Sequence, residues 1–186
     1  MGATAKRRAG GARCALAAGC VALVLLLAWL VLGSGALVPF DLRVTHWLAA
    51  HRLPGLTTAM LLVSEVHRTL AVLAMAAAVA GWLLWRRRRG AALALLAIPG
   101  GMLLNVGLKH VFQRARPVLE EPLVHLSTYS FPSGHAVAST VLYGTLCTIA
   151  LASLQRHGTR AAAVALAAGM VLLVCFSRVY LGAHYL

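Results

Sequence analysis

Five long apolar runs constrain the fold of this chain more than any other feature of its sequence. An α-helix of about 17 residues extends about 25 Å, which is close to the thickness of a bilayer's hydrocarbon core. Hydrophobic residues make up 61% of the 186 residues, charged residues 11%, and the mean hydropathy is +0.83. The pattern predicts an all-α, polytopic transmembrane helical bundle that forms a single membrane-embedded domain over residues 1–186. The five predicted spans are Ala15–Leu32, Thr69–Trp85, Ala91–Leu108, Ala136–Leu154 and Ala161–Ser177.

The segments around these runs add detail to the prediction. Residues 1–14 form a basic tail, and the run after it is longer than the apolar part of a signal peptide, so we expect a retained first helix. The second helix starts near Leu56 or Thr69, and the sequence leaves both starts open. Pro99 lies near the middle of the third run, where a kink is expected. Residues 41–52 mix apolar and polar side chains at helical spacing, which predicts an interfacial helix near 41–52.

The basic residues indicate how the chain is oriented in the membrane. The formal net charge is +13, but the basic residues stand in short clusters between apolar runs, so we expect a bilayer and no nucleic acid as partner. With the N-terminus in the cytoplasm, ten of them lie on the cytoplasmic side, as the positive-inside bias requires. These ten are Lys6, Arg7, Arg8, Arg13, Arg86–Arg89, Arg156 and Arg160. Three other polar clusters then gather on the extracytoplasmic face, and these are the candidates for chemistry.

The first cluster is KHVFQRARP, from Lys109 to Pro117. On a continuous helix, Lys109 and Arg116 would lie about 20° from one face and about 10 Å apart along the axis. Pro117 disfavours helix at Arg116, so we expect the end to unwind and the guanidinium to turn inward. Two cations that project together suit an anion, although a snorkelling pair at a helix end has the same pattern.

The second cluster is PSGH, from Pro132 to His135, directly before the fourth run. It places free backbone N–H groups, the Ser133 hydroxyl and the positive end of a helix dipole at one point, which suits phosphate. Gly134 allows a ligand to approach the backbone closely. Histidine titrates near neutral pH, so His135 suits general-acid work. The same residues are also typical of an ordinary helix N-cap.

The third cluster is SRVYLGAHYL, from Ser177 to Leu186. On a continuous helix, Arg178 and His184 would lie about 9 Å apart and 120° around the axis, flanking a pocket rather than stacking, unless Gly182 bends the chain. A charged side chain at this depth is costly unless it is paired or faces water, so Arg178 is a functional candidate. An arginine and a histidine at a helix end are also a common surface pattern.

Two further polar features lie close to these clusters. The segment SEVHR, Ser64–Arg68, interrupts the apolar stretch before Thr69. We interpret Glu65, His67 and Arg68 as structural or interfacial, with substrate contact as the alternative. Asn105 lies one turn before Lys109 and is expected to hydrogen-bond within the bundle.

Together the three clusters read K-x6-R-P, P-S-G-H and S-R-x5-H. This combination resembles the signature of the type 2 phosphatidate phosphatase superfamily, which also includes vanadium haloperoxidases, bacterial diphosphate-lipid phosphatases and glucose-6-phosphatase. The match covers about Lys109 to His184, and the preceding helices are similar to the family in layout. The matching residues are Lys109, Arg116, Pro117, Pro132, Ser133, Gly134, His135, Ser177, Arg178 and His184.

The resemblance implies catalytic roles for the two histidines. His184 would be the nucleophile that attacks phosphorus and forms a phosphohistidine intermediate. His135 would protonate the leaving oxygen and later activate or orient the water.

The resemblance also implies a phosphate-binding cradle. Lys109, Arg116 and Arg178 would neutralise the phosphoryl oxygens, and Ser133 with the Gly134 N–H would complete the cradle. Because positioning and charge stabilisation dominate phosphoryl transfer, three cations can take the place of a metal ion. We therefore expect neither a metal nor a cofactor.

The family's third motif continues as S-R-x5-H-x3-D, with an Asp that holds the nucleophilic His in its reactive tautomer. That Asp would fall at position 188, beyond Leu186, and the family layout has six spans rather than five. The chain as given is therefore expected to be truncated at its C-terminus, and whether it is fully active stays open.

The leading interpretation is a phosphatase of the cell membrane that hydrolyses a lipid phosphate or diphosphate at the outer face. Candidate substrates are phosphatidate, phosphatidylglycerol phosphate and polyprenyl diphosphate. Only 14 residues separate Pro117 from Pro132, which leaves no room for a large cap and favours access from the bilayer. Two alternatives stay open: a non-catalytic lipid-binding or lipid-moving protein, and a vanadate-dependent haloperoxidase, a branch that is typically soluble. The sequence does not indicate the oligomeric state.

Overall fold

A computed structural model of the chain describes residues 15, 18–30, 38–118, 123–124 and 126–185. The predicted basic tail, residues 1–14, lies outside this range. The chain divides into two compact units, Met1–Asp41 and Leu42–Leu186. Every regular element among the described residues is an α-helix, which confirms the predicted all-α class. The described helices are α1 (Ala18–Leu30), α2 (Val38–Ala50), α3 (Pro54–Val66), α4 (Thr69–Trp85), α5 (Arg89–Ala94), α6 (Ala97–Phe112), α7 (Gly134–Leu151) and α8 (His157–Tyr180).

Three stretches of the described chain are long and apolar enough to cross a membrane. They are Arg89–Phe112, which contains α5 and α6, Gly134–Leu151 and His157–Tyr180, and each contains most of a predicted span. Helices α3 and α4 qualify together as a fourth candidate, but they meet at a bend of 57°. Helix α1 is apolar and 13 residues long, and the ends of its predicted span, residues 16–17 and 31–32, lie outside the described range.

The second predicted span, Thr69–Trp85, is helix α4, and the stretch before it forms another helix. Helix α4 begins at Thr69, and α3 is a separate helix that starts at Pro54, where a proline without an N–H is tolerated. His67 and Arg68, from the polar segment Ser64–Arg68, occupy the joint between them. The two starts left open by the sequence therefore correspond to two helices that meet at a bend.

The third predicted span is broken as expected, but a turn before its proline. Pro99 has no N–H, so it cannot donate to the carbonyl of Leu95. That carbonyl accepts from the Ile98 N–H instead, at 3.1 Å, in a tighter turn. The break therefore falls at Leu95 and Leu96, and Pro99 sits in the first turn of α6.

Small and branched apolar side chains from α4, α6 and α7 form the main core of the second unit. Val72 and Ile98 are fully buried, and Ala138 and Leu142 are 1% exposed. Large apolar side chains such as Leu70 and Leu103 face outward, as expected of helices surrounded by lipid.

Helix α3 packs against the end of α8, and this contact places α3 beside the third sequence cluster. Met60 of α3 lies in one buried cluster with Tyr180 and Leu181. The Tyr180 hydroxyl accepts from the Leu53 N–H at 3.0 Å and bonds the Thr57 hydroxyl at 3.1 Å. These bonds tie the first turn of α3 to the last turn of α8.

Candidate active site

The three sequence clusters meet where α6 ends, α7 begins and α8 ends. Helix α6 stops at Phe112, because Gln113 adopts a left-handed conformation with φ of 47°. Arg116 is therefore not on the helix, and its guanidinium turns toward the end of α8. The predicted unwinding before Pro117 is confirmed. The spacing expected for Lys109 and Arg116 on one continuous helix therefore does not apply.

A short segment of backbone, Thr128–Ser130, organises the cations of the first cluster. The Lys109 ammonium donates to the Tyr129 carbonyl. Arg116 donates from Nε to the Thr128 carbonyl at 2.6 Å and from Nη2 to the Tyr129 carbonyl at 3.2 Å. The Tyr129 carbonyl thus holds both cations at one place.

The start of α7 has the geometry that PSGH predicts. Ser133 is the N-cap residue, and its hydroxyl oxygen accepts from the Ala136 N–H at 3.4 Å, so its own proton stays available for a ligand. Asn105 donates from Nδ2 to the Pro132 carbonyl at 3.3 Å, which confirms the expected bond within the bundle. A side chain added at Gly134 would meet only the Asn105 Oδ1 atom, at an ordinary 3.5 Å. The protein therefore does not itself require glycine here.

Gly182 explains how Arg178 and His184 come together. It has a φ of 72°, which L side chains adopt only at a cost. The Ala183 N–H donates to the Arg178 carbonyl at 3.0 Å and the Gly182 N–H to the Val179 carbonyl at 2.9 Å, which is the Schellman pattern of a helix end. The chain turns back there, so His184 does not continue the helix, and the bend that the sequence left open is present.

His184 is held by both of its ring nitrogens. Its Nδ1 lies 2.6 Å from the Ser130 carbonyl, and its Nε2 lies 3.3 Å from Nη1 of Arg116. A carbonyl can only accept and a guanidinium can only donate, so the network assigns the proton to Nδ1 and a lone pair to Nε2. His184 is 6% exposed. Burial, then the charges of Arg116, Arg178 and Lys109, hold the pKa of His184 well below its usual range, so the ring is neutral.

Arg178 is 3% exposed and lies in the last turn of α8. Its Nη1 donates to the Ser64 hydroxyl of α3. Its Nε and Nη2 atoms are buried and have no hydrogen-bond partner among the described residues. His135 contacts the same serine, because its Nε2 lies 3.2 Å from the Ser64 carbonyl.

Several of these contacts were missed from the sequence because the partners are backbone atoms. No residue type marks the carbonyls of Tyr129 and Ser130 as hydrogen-bond acceptors of the site. Ser64 was indicated only by the polar segment Ser64–Arg68, which interrupts an apolar stretch. His67 is 3% exposed and donates from Nδ1 to Val63 O at 2.7 Å, while its Nε2 accepts from the Tyr143 hydroxyl at 2.7 Å. The bond to Tyr143 links the end of α3 to α7, and both bonds support the structural interpretation of His67.

The site is rich in positive charge. None of Lys109, Arg116 and Arg178 forms an ion pair with a described acidic residue, and the described ion pair of Arg68 with Glu65 is solvent-exposed. A buried guanidinium edge without a partner is costly, so the arrangement is suited to an anion with several oxygens. In the part of the chain that the structure covers, no three His, Cys, Asp or Glu residues lie close enough to hold a metal ion.

Comparisons with known proteins point to one family. Residues 90–186 match the model of the PAP2 superfamily. Phosphatidylglycerophosphatase B of Bacillus subtilis (strain 168) is 36% identical over 107 residues, which is 57% of this chain and 52% of that protein. The alignment thus spans about half the length of this relative. The crystal structure of a transmembrane PAP2-type phosphatidylglycerolphosphate phosphatase from Bacillus subtilis is similar with a TM-score of 0.81 and 28% identity, covering 90% of this chain and 84% of that one.

Proposed function

The chain belongs to the PAP2 superfamily, and from this premise we propose that it is an integral membrane phosphatase that hydrolyses a lipid phosphate or diphosphate. One observation carries the proposal: His184 presents an unprotonated Nε2 beside Arg116, with Lys109 and Arg178 charged nearby. A neutral nucleophile next to three cations that have no acidic partner among the described residues is an arrangement suited to a phosphoryl group.

In the first chemical step, the Nε2 lone pair of His184 attacks phosphorus, and the bond from phosphorus to the lipid oxygen breaks. Nη1 of Arg116, which faces that lone pair in the free protein, transfers its hydrogen bond to a phosphoryl oxygen. The Ser130 carbonyl stabilises the positive charge that develops on the ring by accepting from Nδ1–H. The product is a phosphohistidine on His184.

His135 supplies the proton for the leaving oxygen. Its Nε2–H remains on the Ser64 carbonyl, so Nδ1 is the nitrogen that donates once the ring has taken up a second proton beside the anionic substrate. In the second step the neutral Nδ1 takes a proton from water, the water oxygen attacks phosphorus, and the bond to His184 breaks. Inorganic phosphate leaves and His135 is again protonated.

The names of the Bacillus relative and of the similar crystal structure both refer to phosphatidylglycerol phosphate, which makes this lipid the first substrate to test. Phosphatidate and polyprenyl diphosphate are the alternatives. The positive-inside bias supports a cytoplasmic N-terminus and an active site on the extracytoplasmic side of the cell membrane.

The purified chain in detergent should release phosphate from at least one of these three lipids. Replacing His184 by Ala should reduce the rate by several orders of magnitude, because no other nucleophile takes its place. A well-folded protein that binds these lipids without releasing phosphate would instead support the non-catalytic alternative.

A further inference from the structure

Ser64 contacts two of the proposed active-site residues from a helix outside the segment that matches the family model. It lies on α3 and is 7% exposed, and the family match begins at residue 90. Its hydroxyl accepts from Arg178 Nη1, and its carbonyl accepts from His135 Nε2 at 3.2 Å. One residue thus joins α3 to the end of α8 and the start of α7.

The bond to Nη1 decides which edge of the guanidinium is left for a ligand. Nε and Nη2 form the opposite edge, whose two N–H groups point the same way and match two oxygens of one phosphoryl group. Both atoms are buried and have no partner within the described structure. Leaving a buried charged donor unpaired costs free energy, so this edge is arranged for an anion that the protein does not itself supply.

From these contacts we propose that Ser64 is a positioning residue for the phosphatase reaction. Its hydroxyl fixes Arg178 so that the Nε–Nη2 edge faces the phosphoryl group, and its carbonyl fixes His135 so that Nδ1 faces the leaving oxygen. The inference rests on the proposed function. The hydroxyl half, in which Ser64 orients Arg178, concerns anion binding and can be tested without turnover.

The hydroxyl half is tested by removing Oγ alone, with Ser64→Ala, which keeps the carbonyl on His135. A hydrogen bond to a charged group contributes a factor of about ten to a hundred, so kcat/KM should fall by about that factor. The inhibition constant of inorganic phosphate should rise by a similar factor. Ser139→Ala is the matched control, because Ser139 is fully buried and its hydroxyl donates only to Ala136 O of its own helix, at 3.1 Å.

A double-mutant cycle separates positioning from general destabilisation. In an Arg178→Ala background, Ser64→Ala should cause no further loss of phosphate binding, because the group on which it acts is gone. Additive losses in the two variants would overturn the proposal, as would a Ser64→Ala protein that binds phosphate like wild type while Arg178→Ala does not. Thermal unfolding reports whether each variant is folded. If Ser64→Ala is unfolded, Ser64→Cys, which keeps the volume but is a weak acceptor, is measured in the same cycle.

Phosphate binding is followed by thermal stabilisation of the purified protein, independently of turnover. If wild type binds phosphate but hydrolyses no lipid phosphate, the proposed function fails, and the Ser64 inference is still decided by the binding cycle. If wild type hydrolyses lipid phosphates but Ser64→Ala equals the Ser139→Ala control in both assays, the Ser64 inference fails alone.

Discussion

Nη1 of Arg116 lies 3.3 Å from Nε2 of His184, on the side of the ring opposite the bond from Nδ1 to the Ser130 carbonyl. The arginine can only donate there, so this contact fixes the tautomer that leaves a lone pair on Nε2. The same two residues are held in place by separate segments: Arg116 by backbone carbonyls of the loop before α7, and His184 by the turn at Gly182.

The neutral state of His184 predicts how stability depends on pH. Its pKa in the folded protein is well below the ordinary 6.5 of the unfolded chain, so the unfolded state binds the extra proton first as the pH falls. The contribution to stability is present above about pH 6.5 and is lost below it, with a slope of at most about 1.4 kcal/mol per pH unit. Thermal unfolding between pH 7.5 and 5 should show a steeper decline for wild type than for His184→Asn. Equal slopes would contradict a buried neutral His184.

Arg116→Lys tests the geometry of the guanidinium rather than its charge. Lysine presents its donors from a single point, so it cannot reach the Thr128, Tyr129 and Ala183 carbonyls and His184 together. We expect kcat/KM to fall by about a hundredfold, from the loss of two hydrogen bonds to a charged group. Arg68→Lys is the control, since Arg68 lies in an exposed pair with Glu65 and should leave activity unchanged. If Arg116→Lys keeps wild-type activity, the fork geometry is not needed.

Gly182→Ala tests the turn that returns the chain to the site. At a φ of 72°, an added Cβ costs about 1–2 kcal/mol, and relief of that strain would move His184 away from Arg116 and Ser130. Both the unfolding temperature and kcat should fall. Gly169→Ala, in the preceding helix α8, is the control, because nothing lies within 4 Å of the added Cβ and alanine favours helix. A Gly182→Ala protein with unchanged stability and activity would contradict this account of the turn.

Three cations without a described acidic partner predict that catalysis needs no divalent metal. Hydrolysis by the purified protein should persist in excess EDTA, because Lys109, Arg116 and Arg178 carry the charge that a metal would otherwise supply. Complete loss of activity in EDTA, restored by adding a divalent ion, would contradict the mechanism.

The apolar runs predicted most of the three candidate membrane spans, and α4 begins at one of the two starts that the sequence left open. The bend between α3 and α4 was not predicted, because both helices are apolar and only a short polar segment separates them. The three motifs predicted which side chains meet. They did not predict how these side chains are held, because the acceptors are the backbone carbonyls of Ser130, Tyr129 and Ser64. Every residue has a backbone carbonyl, so the sequence does not distinguish these three.

Gly182 shows where the sequence was most informative about geometry. Helical spacing alone separates Arg178 from His184 by about 120°, and only a glycine placed after the last turn offers a way to reverse the chain. Whether Arg178 and His184 meet depends on the conformation of Gly182 alone, and a glycine permits the left-handed conformation without requiring it.

Trapping the phosphoenzyme shows whether His184 is the nucleophile. Wild type is mixed with lipid phosphate carrying a labelled phosphoryl group and quenched in alkali within one turnover, since phosphohistidine survives alkali and is lost in acid. Label should appear on the peptide that contains His184 and should be absent from the His184→Ala protein. Label that remains in His184→Ala, or full hydrolysis by wild type with no labelled intermediate in a quench fast enough to resolve one turnover, would contradict this role of His184.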